Sequence, residues 1–284
     1  MNYRHAYRAG NFADVHKHAV VTRIIEYLKR KDAAFRVIDT HAGAGLYNLG
    51  GVESAKTGEW MTGIGRLLDA TLSAEVESLL APWLEVVRAY RQDGQLAAYP
   101  GSPLIIRRLL RKQDRLSAFE LHEEDFATLS SLFAGDFQTR VTRLDGWLVP
   151  GAHLPPKEKR GLVLIDPPFE KEGEFARLAD ALAKGHRRWP GGMFCLWYPL
   201  KRGNAFETFI ADLKRSGLPD LVRIELDVDP SGKGPVQGLS GSGLIVKNPP
   251  YVLEAEMAVL MPELVRIVGQ TATADWKFER LTEE

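Results

Sequence analysis

Residues 161–169 read Gly-Leu-Val-Leu-Ile-Asp-Pro-Pro-Phe, and this run leaves the chain few options. Four consecutive apolar residues, from Leu162 to Ile165, carry the signal of a buried strand. That strand has to stop at Asp166. Pro167 and Pro168 have no amide hydrogen to give a sheet ladder, and Pro167 drives Asp166 out of the helical region. A carboxylate, a stiff backbone and an aromatic ring, Phe169, are therefore held together at the carboxyl edge of a sheet. Open α/β sheets put their ligand crevices at that edge.

Asp-Pro-Pro-aromatic in this setting resembles the catalytic loop of methyltransferases that modify exocyclic amines of bases, above all N6 of adenine. The residue types suit that chemistry. The N6 lone pair is delocalised into the ring, so the amine is a poor nucleophile. A hydrogen-bond acceptor on each N–H draws the nitrogen toward a tetrahedral geometry and frees the lone pair. Asp166 can supply one acceptor, the carbonyl of Pro167 another, and Phe169 a stacking surface. A methyl sulfonium donor carries the hard chemistry, while the protein positions and polarises. The bland alternative is a strand ending in a proline-rich turn.

Other strand ends point the same way. Residues 35–45 read Phe-Arg-Val-Ile-Asp-Thr-His-Ala-Gly-Ala-Gly, a strand that breaks into a glycine-rich turn. Gly43 and Gly45 let the backbone approach a ligand closely. The turn lacks the six-residue dinucleotide pattern, because Asn48 stands three positions after Gly45. Residues 116–122 form a second strand with Glu120 near its end, where nucleotide-binding α/β folds keep a ribose acceptor. Residues 140–147 give a third strand end, where Asp145 can accept from an adenine amine and Gly146 keeps the backbone close. Each acid alone reads as a solvated strand end. Four strand ends in this order agree with one another.

The motifs then add up to a family resemblance. Tyr3 to His18 open the chain as Tyr-Arg-His-Ala-Tyr-Arg-Ala-Gly-Asn-Phe-Ala-Asp-Val-His-Lys-His. With residues 39–45, the Tyr-Pro-Gly-Ser-Pro run at 99–103, Glu120-Leu121-His122 and the Asp166 loop, the sequence resembles the RlmJ family of 23S ribosomal RNA adenine N6-methyltransferases. The resemblance spans nearly the whole chain. It implies a Rossmann-like class I α/β sheet and S-adenosylmethionine as the methyl donor. It puts cofactor contacts on His18, His41, Ser102, Glu120, Asp145, Gly146 and Asp166, with Asp166 also the catalytic carboxylate, and it assigns Tyr3 to the RNA substrate. Phe169 stands where tyrosine is common, so stacking survives without a hydroxyl contact.

Net charge is zero, which argues against a protein that coats nucleic acid indiscriminately. The charge is unevenly spread: residues 1–31 carry seven Lys/Arg against Asp14 and Glu26. Arg4, Arg8 and Lys17 in this segment are expected to meet RNA phosphates, and Tyr3, His5, Tyr7 and His16 interleave with them as on RNA contact surfaces. A second basic run, residues 103–115, reads equally well as a solvated helix face. The single cysteine, Cys195, excludes an internal disulfide. No apolar segment follows a basic start and none is long enough to span a bilayer, so a cytoplasmic protein is expected, monomeric and without a metal site.

Spacing gives the layout. A helix over residues 12–30 points Val15, His18, Thr22, Ile25 and Leu28 inward. The helix at 103–112 has Ser102 as its N-cap and Pro103 at its first position. The stretch between the first two strands is oversized for a βαβ unit. It predicts an inserted helical subdomain at 47–99, with helices near 59–69 and 74–91, the latter interrupted by Pro82. Residues 1–46 and 100–284 form the Rossmann-like domain. Later strands fall at 193–198, 222–228 and 243–246. Asn248-Pro249-Pro250-Tyr251 is a decoy for the catalytic loop; it follows a strand expected to be antiparallel, so Asp166 is the choice. Two rivals stand beside the RNA reading. One is a DNA or small-molecule amine methyltransferase, and the other a non-catalytic RNA-binding module.

Overall fold

The computed structural model describes residues 5–200, 204–230 and 239–283. Eight strands make the central sheet: β1 Arg36–Asp39, β2 Arg115–Glu120, β3 Thr139–Arg143, β4 Gly161–Ile165, β5 Met193–Leu200, β6 Leu221–Asp227, β7 Gly241–Lys247 and β8 Asp275–Thr282. Their order is β8-β6-β7-β5-β4-β1-β2-β3. The five strands from β3 to β5 run parallel, whereas β7 is antiparallel to both β5 and β6. This is the Rossmann-like methyltransferase sheet that the sequence predicts, with one strand more: β8 pairs antiparallel with β6. Its sequence, Asp-Trp-Lys-Phe-Glu-Arg-Leu-Thr, alternates as an edge strand should.

The apolar run of β4 explains its central place. Leu162, Val163, Leu164 and Ile165 are each fully buried, and each such side chain stabilises the fold by about 1.5–3 kcal/mol. Seven longer helices are α1 Phe12–Lys29, α2 Ala74–Arg88, α3 Ser102–Leu109, α4 Glu123–Leu132, α5 Glu174–Arg188, α6 Asn204–Arg215 and α7 Leu253–Val268. One sheet face packs against α1, α3 and α7, the other against α5 and α6.

Helix α1 begins where Asn11 accepts hydrogen bonds from the amides of Ala13 and Asp14, 3.0 and 3.1 Å away. It is buried on nearly every side rather than on one face. The cause is the insertion: α2 lies across its outer surface, and Trp83, Leu84 and Val87 of α2 join the same core as the sheet. The insertion is closed at its base by a two-stranded pairing of Leu46–Asn48 with Ala98–Pro100. Two local readings change. Helix α2 continues through Pro82 instead of breaking. Ser102 is the first residue of α3, whose N-cap is Gly101. Among the described residues no helix is long and apolar enough to cross a membrane.

Candidate active site

Four strand ends meet at one cavity. Its wall is built from the turn after β1, from Glu120, from the residues following β3 and from the turn after β4. Close backbone approach is enforced twice. Gly43 has φ +62°, and a Cβ there would lie 2.2 Å from the Tyr47 hydroxyl. A Cβ on Gly146 would lie 2.1 Å from the Thr40 carbonyl oxygen and 2.8 Å from the His41 ring. Neither position tolerates a side chain without moving its neighbours.

Glu120 braces the glycine turn. Its Oε2 accepts from the Gly43 amide at 2.8 Å and its Oε1 from the His122 amide at 2.7 Å. Burial pushes this carboxyl above its ordinary range, against the pull of those amides. Asp145 accepts from the Trp147 amide at 3.1 Å. The His41 ring stands edge-on to Trp147, centroids 5.3 Å apart, and the Arg177 guanidinium covers Trp147 at 4.5 Å. Burial, helped by Arg177, pushes His41 down, so the ring is neutral. Beneath the wall, the Ser102 hydroxyl donates to Asp39 at 2.7 Å. Asp39 is fully buried, and burial raises its carboxyl to about 7.

Asp166 is the hinge between this cavity and a second one. The second is lined by Arg8, Phe169, Trp197 and Pro199, and the two share His5, Lys17, Asp166, Pro168 and Glu170. Lys17 Nζ donates to Asp166 Oδ2 at 2.5 Å and to Asp14 Oδ1 at 2.8 Å. Asp14 Oδ2 accepts from the Gly10 amide at 2.8 Å and lies 2.9 Å from His5 Nε2. Burial works against the charge on Lys17, but the two carboxylates outweigh it and hold its pKa well above the lysine range. Burial likewise opposes ionisation of Asp14, and His5 and Lys17 overcome it. Phe169 packs edge-on against Phe175 and Trp197, at 5.0 and 5.7 Å. The Pro168 carbonyl accepts from the Glu170 amide at 3.1 Å, while the Pro167 carbonyl accepts no hydrogen bond among the described residues.

Most expected site residues meet here. His41, Gly43, Ser102, Glu120, Asp145, Gly146, Asp166 and Pro167 all line the first cavity, and Phe169 the second. His18 is not part of either wall. It is buried, with Nδ1 2.6 Å from the Tyr99 hydroxyl and its ring stacked on Tyr99; Nε2 has no hydrogen-bond partner among the described residues. Lys17 needs correction: it is 4 % exposed and held by two carboxylates, so it is not a phosphate contact. Arg8 remains available at the second cavity. Tyr3 and Arg4 lie outside the described residues.

Sequence reasoning missed Asp14, Asp39, Trp147, Arg177 and Trp197 as site residues. Asp14 and Lys17 stand three apart on one helix, a spacing that joins them. Trp197 sits in an apolar strand and reads as core; only the pairing of β5 beside β4 brings it next to Phe169. The decoy is resolved. Asn248 sits at the opposite sheet edge, where its amide nitrogen donates to the carbonyls of Pro190 and Gly192 at 2.8 and 2.7 Å.

The first cavity suits S-adenosylmethionine on its own features. The side-chain-free turns at Gly43 and Gly146, packed tightly on their neighbours, present backbone to the cavity wall, and acids stand at the second and third strand ends. Comparison with known proteins agrees. A family model described as ribosomal RNA large subunit methyltransferase D, RlmJ, matches residues 32–282. Ribosomal RNA large subunit methyltransferase J of Escherichia coli is 42% identical over 281 residues, covering 97% of this chain and 98% of that protein. The protein of the same name from Haemophilus influenzae is 38% identical over 100% of both chains. A crystal structure of a Legionella pneumophila protein superposes with TM-score 0.85 at 32% identity, over 96% of this chain and 98% of that one. A probable spermidine synthase from Corynebacterium glutamicum, 10% identical with TM-score 0.50 over 94% of this chain and 74% of that one, shares the fold alone. On the family match and these identities, the chain belongs to the RlmJ family of ribosomal RNA large subunit methyltransferases.

Proposed function

We propose that this chain transfers a methyl group from S-adenosylmethionine to N6 of one adenine in 23S ribosomal RNA. One observation carries the reading. Asp166 sits on a proline-stiffened turn between two cavities, with Oδ2 held by Lys17 and, next to it, a Pro167 carbonyl that accepts no hydrogen bond among the described residues. S-adenosylmethionine, when bound, supplies an electrophilic methyl group. Glu120 takes the ribose hydroxyls, Asp145 the cofactor's adenine amine, and Gly43 and Gly146 admit the nucleoside.

The target base enters from the second cavity. Phe169 and Trp197 hold its plane. Asp166 Oδ1 and the Pro167 carbonyl accept hydrogen bonds from the two N6 N–H groups. Positive charge builds on N6 as the new bond forms, so both acceptors bind the transition state more tightly than the ground state. Lys17 fixes the rotamer of the Asp166 carboxylate. Asp14 and His5 in turn fix Lys17. Arg8 at the mouth of this cavity meets RNA phosphate.

Mass mapping of large-subunit RNA from cells lacking the protein tests the reading. The expected result is the loss of one methyl-adenine, restored by the wild-type chain and not by Asp166→Ala. An unchanged set of methyl-adenines, or transfer to duplex DNA alone, overturns it.

A further inference from the structure

The strand-start edge of the sheet, opposite Asp166, carries a groove that methyl transfer does not use. Its walls are Tyr27, Arg30, Lys31, Lys159, Arg160 and Tyr251. Tyr251 belongs to the decoy turn and is 80% exposed, the most exposed large hydrophobic side chain among the described residues. Its ring stands edge-on to Tyr27, centroids 5.7 Å apart at 80°. The Arg30 guanidinium lies 5.6 Å from the Tyr27 ring centre and 3.5 Å from the Tyr251 hydroxyl. The one acid that touches Arg30, Glu256, is already bound by Arg23 at 2.8 Å. Lys31 and Lys159 are exposed, and no acidic partner reaches either among the described residues. The groove is therefore cationic, with aromatic faces open to solvent.

Asn248 makes the exposure of Tyr251 a fixed feature. Its amide ties the turn to Pro190 and Gly192, so the ring is held out rather than folded against the protein. Aromatic faces between unpaired cations fit single-stranded nucleic acid: bases stack on the rings, and phosphates meet the cations. Gly161 at the groove and Asp166 at the active site are the two ends of one strand, roughly 17 Å apart at the usual rise per residue. An RNA segment seated here is distinct from the one that delivers the adenine.

We propose that this groove is a second RNA-binding site, in which a base stacks on Tyr251 and flanking phosphates meet Lys31 and Lys159. The choice of RNA over another polyanion rests on the function proposed above. The test separates the two. A short fluorescent oligouridylate, which lacks the adenine to be methylated, is titrated against the full chain by anisotropy. Tyr251→Ala should weaken its binding by about fivefold or more. Lys31→Glu with Lys159→Glu should weaken it and lower the salt slope by about two units. A 4-thiouridine version should cross-link to the peptide carrying Tyr251. Both variants should methylate a minimal adenine hairpin within about twofold of wild type, because the hairpin is held at the other edge. Unchanged oligouridylate affinity, or cross-links confined to the active-site edge, overturns the proposal. So does a polyglutamate peptide that binds the groove as tightly as the oligouridylate and is lost in the same variants. A wild-type chain that binds oligouridylate through Tyr251 yet methylates no RNA would sink the methyltransferase reading and leave the groove standing.

Discussion

Asp166-Pro167-Pro168-Phe169 and Asn248-Pro249-Pro250-Tyr251 leave the same sheet at opposite edges, and they spend their polar atoms differently. In the second turn the side chain is committed to the fold. The Asn248 amide nitrogen donates to two carbonyls, its oxygen accepts from Lys247 at 2.8 Å, and the Pro250 carbonyl accepts from the Leu253 amide at the start of α7. In the first turn Lys17 takes one carboxylate oxygen of Asp166, which faces two cavities; the Pro167 and Pro249 carbonyls both accept no hydrogen bond among the described residues, but of the two only Pro167 lines a cavity wall beside Asp166. A reactive motif is recognised by the hydrogen-bonding capacity it keeps in reserve. Strand direction decides which turn keeps it: β4 runs to the carboxyl edge with its parallel neighbours, and β7 runs back.

Asp166→Ala should break the first turn most severely. Loss of the acceptor on the attacking amine should lower kcat by about 10²–10⁴-fold. Affinity for S-adenosylmethionine, read by calorimetry, should stay within a few-fold, because the carboxylate acts on the amine. Near-wild-type turnover would take Asp166 out of the mechanism.

Lys17→Met asks whether the reserve depends on the buried cation. It leaves Asp14 and Asp166 without their shared partner, and breaking a buried pair in this way costs about 3–5 kcal/mol. The pH dependence should shift. In wild type the Asp14 carboxyl is held below its ordinary range, so its contribution persists above the unfolded pKa and is lost only as pH falls through the depressed value. In the variant His5 still opposes burial but Lys17 no longer helps, so the Asp14 pKa should rise from its wild-type position and the acid loss of melting temperature should begin at higher pH. Parallel pH profiles for the two proteins would show that Lys17 does not hold the carboxylates.

Glu120→Ala should weaken S-adenosylmethionine binding by about 1–3 kcal/mol, the scale for removing a charged acceptor from a buried hydrogen bond. Here the residue also holds the Gly43 amide, so the variant should loosen the glycine turn as well. Unchanged affinity would contradict the ribose assignment.

How much of this was legible depended on whether the information was local. Strand β4 could be read from four apolar residues and two prolines, and the strand ends at Gly43, Glu120, Asp145 and Asp166 from their short motifs. The burial of α1 could not. Its outer face is polar enough to read as surface, and only α2, about fifty residues on, covers it. A longer separation, 149 residues, hid the role of Lys17, which read as one of several N-terminal cations until the sheet brought Asp166 to it. Trp197 reads as core in its strand, and β8 was missed because Asp275, Lys277, Glu279 and Arg280 leave it too few apolar residues to stand out.

Asn248→Ala should have the smallest effect on catalysis and sharpens the contrast best. At saturating RNA, kcat should stay within about twofold of wild type, since the residue touches neither cavity. Stability should nevertheless fall by about 1–3 kcal/mol, because two carbonyls and Lys247 lose a partner. Part of that loss has a second origin. Asn248 sits at φ +51°, a conformation asparagine tolerates better than alanine. Asn248→Gly separates the two, since it relieves the backbone but still removes the amide. If the glycine variant melts with wild type, the turn is held by its backbone and the amide bonds contribute little. If glycine and alanine fall together, the amide is what holds the turn, and the carboxamide that resembles a catalytic group acts as a structural tie.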